Sequence, residues 1–77
     1  TDADRLHSVT LRSGAAAVGR TLAELELEQD HVLVTALVRA GKRALAPPPD
    51  MPLQADDVVV LFGSPDDLQR VEARLLD

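Results

Sequence analysis

Two short runs constrain this chain more than anything else in it. "HVLVTALVR" (31–39) and "VVVLF" (58–62) put apolar residues on both faces of an extended strand. In the first, Val32, Val34, Ala36 and Val38 make one face, and Leu33, Thr35, Leu37 and Arg39 the other. A strand with one face in water alternates apolar and polar residues, so these two are expected to be covered on both sides. The whole chain has 77 residues and no cysteine. A domain of this size buries only about 60% of its unfolded surface and is marginal alone. Disulfides and thiolate metal sites are excluded, and His7 and His31 could not complete a zinc site without carboxylates. The extra burial is therefore expected from a partner chain or a parent protein. The chain opens on Thr1 without Met, which suggests a piece of a longer protein.

Charge and aromatic content narrow the partners. The net charge is −5, and Phe62 is the single aromatic residue. An acidic chain repels phosphate backbones, and single-strand readers need aromatic platforms, so nucleic acid is not an expected partner. No apolar run approaches the roughly 18 residues of a membrane span, so direct membrane insertion is not expected.

The remaining elements follow from local signals. "LHSVTLRSG" (6–14) alternates, with His7, Val9 and Leu11 on one face, and reads as a half-buried strand. "SGAAAVG" (13–19) reads as a tightly packed loop. "TLAELEL" (21–27) reads as a short helix whose Thr21 and Glu24 have capping-box spacing. Leu22 and Leu25 share a face, while Leu27 is assigned to the exit. Ala40-Gly41 reads as a hairpin turn into "KRALA" (42–46), Gly supplying positive φ. "PPPD" (47–50) cannot donate to a ladder and must run off the sheet centre, with Met51, Pro52 and Leu53 packing the crossing down. "ADD" (55–57) is a turn into the last strand.

The junction after that strand tests for a phosphate cradle. Ser64 stands at an N-cap, Pro65 at the first helical position, and Asp66 and Asp67 in the first turn. Leu68, Val71 and Leu75 then mark the inner face of a helix over 66–76. A phosphate loop needs several glycines and a bare helix start. Here there is one glycine, and two aspartates hold the anion's place, so the corner reads as structural. The order β-α-β-β-β-α gives a small α+β sandwich occupying residues 1–77 as a single domain. Two short helices cannot cover both faces of its sheet. The uncovered surface is expected to seat a second copy or a neighbouring domain, giving a homodimer.

Taken in order, these pieces resemble the RCK C-terminal domain, also called TrkA-C. Gly19, Thr21, Leu22 and Leu25 match its "G-x-T/S-L-x-E-L" helix, and Arg39 and Gly41 its "V-x-A-[IV]-x-R-x-G" hairpin. Pro49, Asp50, Leu53, Ala55, Asp57 and Gly63 match the segment that follows, and Asp56 replaces the usual glycine before Asp57. The match covers nearly the whole chain, and the opening looks most like the Kef-type monovalent cation:proton antiporters. The resemblance implies a cytoplasmic regulatory domain of a bacterial potassium or cation transport protein, attached to or associated with an inner-membrane transport domain. It implies homodimers, and in some members a small effector such as cyclic di-AMP at the dimer interface. The family's separate nucleotide-binding domain is absent from these residues, so no NAD or ATP of the Rossmann kind, and no other cofactor, is expected.

If an anionic effector binds a dimer cleft, Arg39, Lys42 and Arg43 are the candidate contacts, because they bracket the hairpin and Arg grips phosphate with a fork. The alternative is ordinary solvation of a hairpin. His31 is a candidate effector or proton-sensing contact, or an exposed loop histidine. Pro47, within "APPP" (46–49), is a candidate rigid wall for an adenine ring, or simply chain routing. Glu24, Glu26, Glu28 and Asp30 could attract a divalent cation, but i, i+2 spacing scatters them around a helix, and no metal site is assigned. Catalysis is not expected: there is no Cys, and His7 and Ser8 point to opposite faces of a strand. The rival to an effector-binding regulator is a constitutive dimerisation module with no ligand.

Overall fold

The computed structural model describes residues 3–77. Four strands make one antiparallel sheet: β1 (Arg5–Thr10), β2 (Leu33–Arg39), β3 (Lys42–Leu45) and β4 (Val58–Gly63), in the order β1-β4-β2-β3. The most apolar run, β4, is thus central, paired with β1 on one side and β2 on the other. Helix α1 (Leu22–Leu25) and a 3-10 turn (Leu27–Asp30) precede β2, and helix α2 (Pro65–Leu76) follows β4. The element order is the expected one, with the 3-10 turn added.

Local chemistry explains the boundaries. Thr21 caps α1 by accepting from the Glu24 N–H at 3.2 Å, and Glu24 Oε1 returns the bond to the Thr21 N–H at 2.9 Å. The helix ends where Glu26 turns left-handed at φ 50. The chain then tightens into the 3-10 turn, which drives Leu27 into the core at 2% exposure. Leu27 is therefore a core residue and not part of an exit. Leu22 and Leu25 are only partly buried against that core. His31, with φ 61, closes the 3-10 turn, so the strand begins at Leu33 and not at His31.

The faces of β2 also depart from simple alternation. Leu33 and Val34 pair with Phe62 and Leu61, while Ala36, Leu37 and Val38 pair with Val60, Val59 and Val58. Thr35 is the extra residue of a bulge, and its hydroxyl donates to the Val60 carbonyl at 3.2 Å. One inserted residue flips every side chain that follows. Val32 and Val34 share the inner face with Leu37, and Ala36 and Val38 turn outward.

The core lies between the inner face of the sheet and α2. Val9, Val59 and Leu61 from the sheet meet Leu68, Val71 and Leu75 from the helix, all at 3% exposure or less. Ala17 from the glycine-bracketed loop and Leu53 from the crossing segment close its ends. That crossing is pinned by the Gly19 N–H to the Leu53 carbonyl and the Leu53 N–H to the Arg20 carbonyl, each at 2.8 Å.

The other face is covered only in part: Ala36 and Val60 at its middle are 2% and 8% exposed, while its margins are open. Strand register sets Leu6, Phe62 and Leu33 in one row, Ser8, Val60, Ala36 and Leu45 in the next, and Thr10, Val58, Val38 and Arg43 in the third. Leu6, Leu33 and Leu45 stand out at 62%, 59% and 73% exposure. The strands that looked apolar on both sides are fully covered on the inner side and only partly on the outer.

Candidate functional site

The β2–β3 hairpin carries the basic residues singled out in the sequence. Its two turn residues, Ala40 and Gly41, have φ 52 and 77. Positive φ at both positions matches the twist of the flanking strands. A shallow groove beside it is lined by Leu37, Arg39, Ala40, Lys42, Arg43, Ala44 and Met51. The structure therefore brings Arg39, Lys42 and Arg43 together.

The three are not equivalent. Arg39 donates through Nε to Asp57 Oδ1 at 2.9 Å and through Nη2 to Asp57 Oδ2 at 2.7 Å. Nη2 also reaches the Pro52 carbonyl at 3.2 Å. The Asp57 side chain is 1% exposed and takes a further bond from the Gln54 N–H at 2.8 Å. The Arg39 hydrogen bonds hold the Asp57 carboxyl below the usual carboxylate range, against the opposing effect of burial, with the Gln54 N–H adding to the lowering. The fork expected to grip an anion is thus occupied by an internal carboxylate, and Arg39 ties the hairpin to the entry of β4. Lys42 and Arg43 are exposed and, among the described residues, make no ion pair. Register places Arg43 on the open face beside Val38, and Lys42 on the inner side.

The other two candidates lie elsewhere. His31 is exposed beyond the opposite end of β2. Pro47 is buried, so it does not present a wall to solvent. The crowded carboxylates disperse: Glu24 serves the helix cap, Glu26 accepts from Gln29 at 2.9 Å, and Asp30 pairs with Arg74.

The corner at Gly63 is structural. A Cβ built there would come within 3.2 Å of both the His31 carbonyl and a Val32 methyl, so the glycine permits close packing. Ser64 accepts from the Asp67 N–H at 3.2 Å, and Asp67 pairs with Arg70. His7 Nε2 lies 3.0 Å from Glu72 Oε1, with Ser8 on the opposite face.

Several of these partners were invisible in the sequence. Asp57 stood out only as a motif position and as part of the turn into the last strand. The pairing of Arg74 with Asp30 spans 44 positions and has no local signature.

Comparison with known proteins agrees with this architecture. The family model of the TrkA-C domain matches residues 6–76. A protein of Alkalimonas amylolytica named K(+) efflux antiporter KefB is 42% identical over 67 residues, which is 87% of this chain and 10% of that protein. The chain therefore spans about a tenth of that relative's length. Among solved structures, the RCK C domain of the potassium transport protein KtrA in complex with cyclic di-AMP superposes with a TM-score of 0.82 at 20% identity, covering 94% of this chain and 84% of that one. The RCK_C domain dimer of S. agalactiae BusR in complex with cyclic di-AMP gives 0.79 at 18% identity, covering 91% and 93%. The GsuK channel bound to NAD gives 0.77 at 18% identity, covering 96% of this chain and 14% of that one. The fold, the order of the pieces and the length of the match agree: the chain belongs to the TrkA-C domain family, whose members are regulatory and not catalytic.

Proposed function

We propose that this domain pairs with a second copy through the open face of its sheet and that the pair regulates a cation transport protein. Its place is on the cytoplasmic side, with the parent's membrane transport domain as the element it biases. The observation that carries this reading is the open margin of that face, where Leu6, Leu33 and Leu45 are each more than half exposed. Contiguous apolar surface of this kind marks an interaction site. A two-fold pairing uses the same patch on both copies, so each leucine contributes twice. The similarity to the KefB relative and to the BusR domain dimer supports the same reading.

A small anionic effector is the finer part of the proposal. Among the strand residues of the open face, Arg43 is the one charged side chain. Lys42 stands next to it and Arg39 holds the hairpin in place from the inner side. Cyclic di-AMP, which KtrA and BusR domains hold in their complexes, fits two such cations brought together across a two-fold axis. The effector acts only if it binds one arrangement of the pair better than another. His31 and Pro47 receive no contact here, given their positions.

Sedimentation equilibrium of the purified domain tests the pairing. Leu45→Asp should weaken it by well over tenfold, since fully burying a leucine contributes about 1.5–3 kcal/mol and the change is made twice. Calorimetric titration with cyclic di-AMP, with ATP and ADP as controls, tests the effector. One ligand per two chains, lost in Arg43→Ala, is the expected result. Pairing without heat from any of these nucleotides would favour the constitutive dimerisation module.

A further inference from the structure

The inner face of the sheet is covered unevenly. Helix α2 packs on β4 and β1. A helix is about 10 Å across and strands lie about 4.8 Å apart, so one helix covers roughly two strands. Strand β3 lies beyond β2 at the sheet edge, and all of its residues are exposed. Register pairs Ala44 with Leu37 and Lys42 with Arg39, so these four side chains share the inner side of the hairpin. Beside them the crossing segment brings up Met51, whose sulfur receives a bond from Arg39 Nη1 at 3.7 Å. The result is a groove with an apolar lining of Leu37, Ala44 and Met51. Every charged residue that lines it is a cation: Arg39, Lys42 and, at the rim, Arg43. Asp57 neutralises Arg39, whereas Lys42 makes no ion pair among the described residues.

We infer that this groove is a docking site for an acidic amphipathic helix of a partner polypeptide, laid over the β2–β3 hairpin so that it extends the helix layer begun by α2. A helix seated in a groove anchors through apolar residues at i, i+3 and i+4. Those anchors rest against Ala44 and Met51, and carboxylates flanking them meet Lys42. Ala44 makes the room, because any longer side chain at that position stands in the groove. The shape favours a helix over a lipid surface: the apolar lining is recessed between the hairpin and Met51, and a flat layer of headgroups reaches only the rim. Charge favours it too. The chain carries a net charge of −5 and is repelled as a whole by an anionic membrane. A single helix meets the chain only where the lining is cationic, and local complementarity of that kind fixes partner and register. The site stands apart from the proposed pairing and effector, which use the opposite face of the sheet.

Fluorescence anisotropy with labelled helical peptides tests the site. The probe is a peptide of about 18 residues, five helical turns, with leucines at i, i+3, i+4 and i+7 and glutamates flanking them. A control peptide carries lysine in place of every glutamate. The purified chain should bind the acidic probe at least about tenfold more tightly than the basic one. Lys42→Glu should weaken binding of the acidic probe by about tenfold or more, while Arg5→Glu, the same charge change at the opposite end of the sheet, should alter it by less than about threefold. Ala44→Lys separates seating from simple attraction, because it adds a cation and fills the groove. It should weaken binding by about fivefold or more; equal or tighter binding would mean that charge alone holds the probe, and the docking site would fall. All three substituted residues are exposed, and circular dichroism melts establish that each variant remains folded. Failure of the unmodified chain to bind the acidic probe overturns the proposal. Binding to phosphatidylglycerol vesicles without binding to the probe overturns it as well, and assigns the hairpin cations to a lipid surface.

Discussion

Replacing Asp57 by Asn should be the most damaging near-isosteric change in this domain. The Asp57 carboxylate is 1% exposed and receives three bonds, two from Arg39 and one from the Gln54 N–H. Asn keeps the shape but removes the charge, and its amide group must place a donor where a donor already stands. Removing one partner of a buried pair costs about 3–5 kcal/mol. The Arg39 side chain is 30% exposed and can recover some hydration, so the lower end, about 3 kcal/mol, is expected. For a domain of this length total stability is roughly 4–12 kcal/mol, so the loss is a large share of it. The melting temperature should fall by roughly 12–24 °C, at 4–8 °C per kcal/mol. The pH dependence supplies an independent check. The folded-state pKa of Asp57 is depressed, so the unfolded chain takes up the proton more readily than the folded one. The stabilisation is therefore fully present above the unfolded value of about 3.9 and is lost as pH falls through the lower folded value. Urea midpoints should differ by a constant amount between the original chain and Asp57→Asn from about pH 8 to 5, and the gap should close below about pH 4. A melting-temperature loss under about 4 °C would refute the reasoning, because it would put the pair among exposed salt bridges worth less than about 1 kcal/mol.

Two further substitutions test local geometry by the same melts. Asp56 has φ 73, a left-handed conformation that costs a residue with a Cβ, so Asp56→Gly should stabilise by roughly 0.5–1 kcal/mol and raise the melting temperature by a few degrees. Ser64→Ala removes the side-chain cap on α2 and should destabilise by about 1 kcal/mol, which Ser64→Asp should largely restore.

The departure at Asp56 shows how far sequence and structure agree. The resemblance implies a glycine before Asp57, and the positive φ found there supplies a physical reason for one. Asp tolerates that region better than most residues, so the turn forms without the glycine. The hairpin is a parallel case: Gly41 was legible as its turn residue, while Ala40 adopts φ 52 with no side chain that favours it. There the pairing of β2 with β3 holds the geometry, and local propensity does not.

What the sequence alone determined were the features that nearest neighbours settle. The capping box at Thr21, the Ser-Pro-Asp-Asp start of α2, the inner stripe of Leu68, Val71 and Leu75, and the dense apolar β4 each follow from spacing along the chain. So does the surplus of apolar surface, which comes from composition and length. Tertiary structure alone decided where that surplus lies and which charges are free to act. The bulge at Thr35 reverses the faces of β2, because a strand's register is set by its partners β4 and β3. Arg39 is spent on Asp57, 18 positions away, while Lys42 and Arg43 beside it remain exposed. Hydrogen-bond partners that distant are chosen by the packed fold, since no local pattern records which carboxylate will be buried beside which guanidinium.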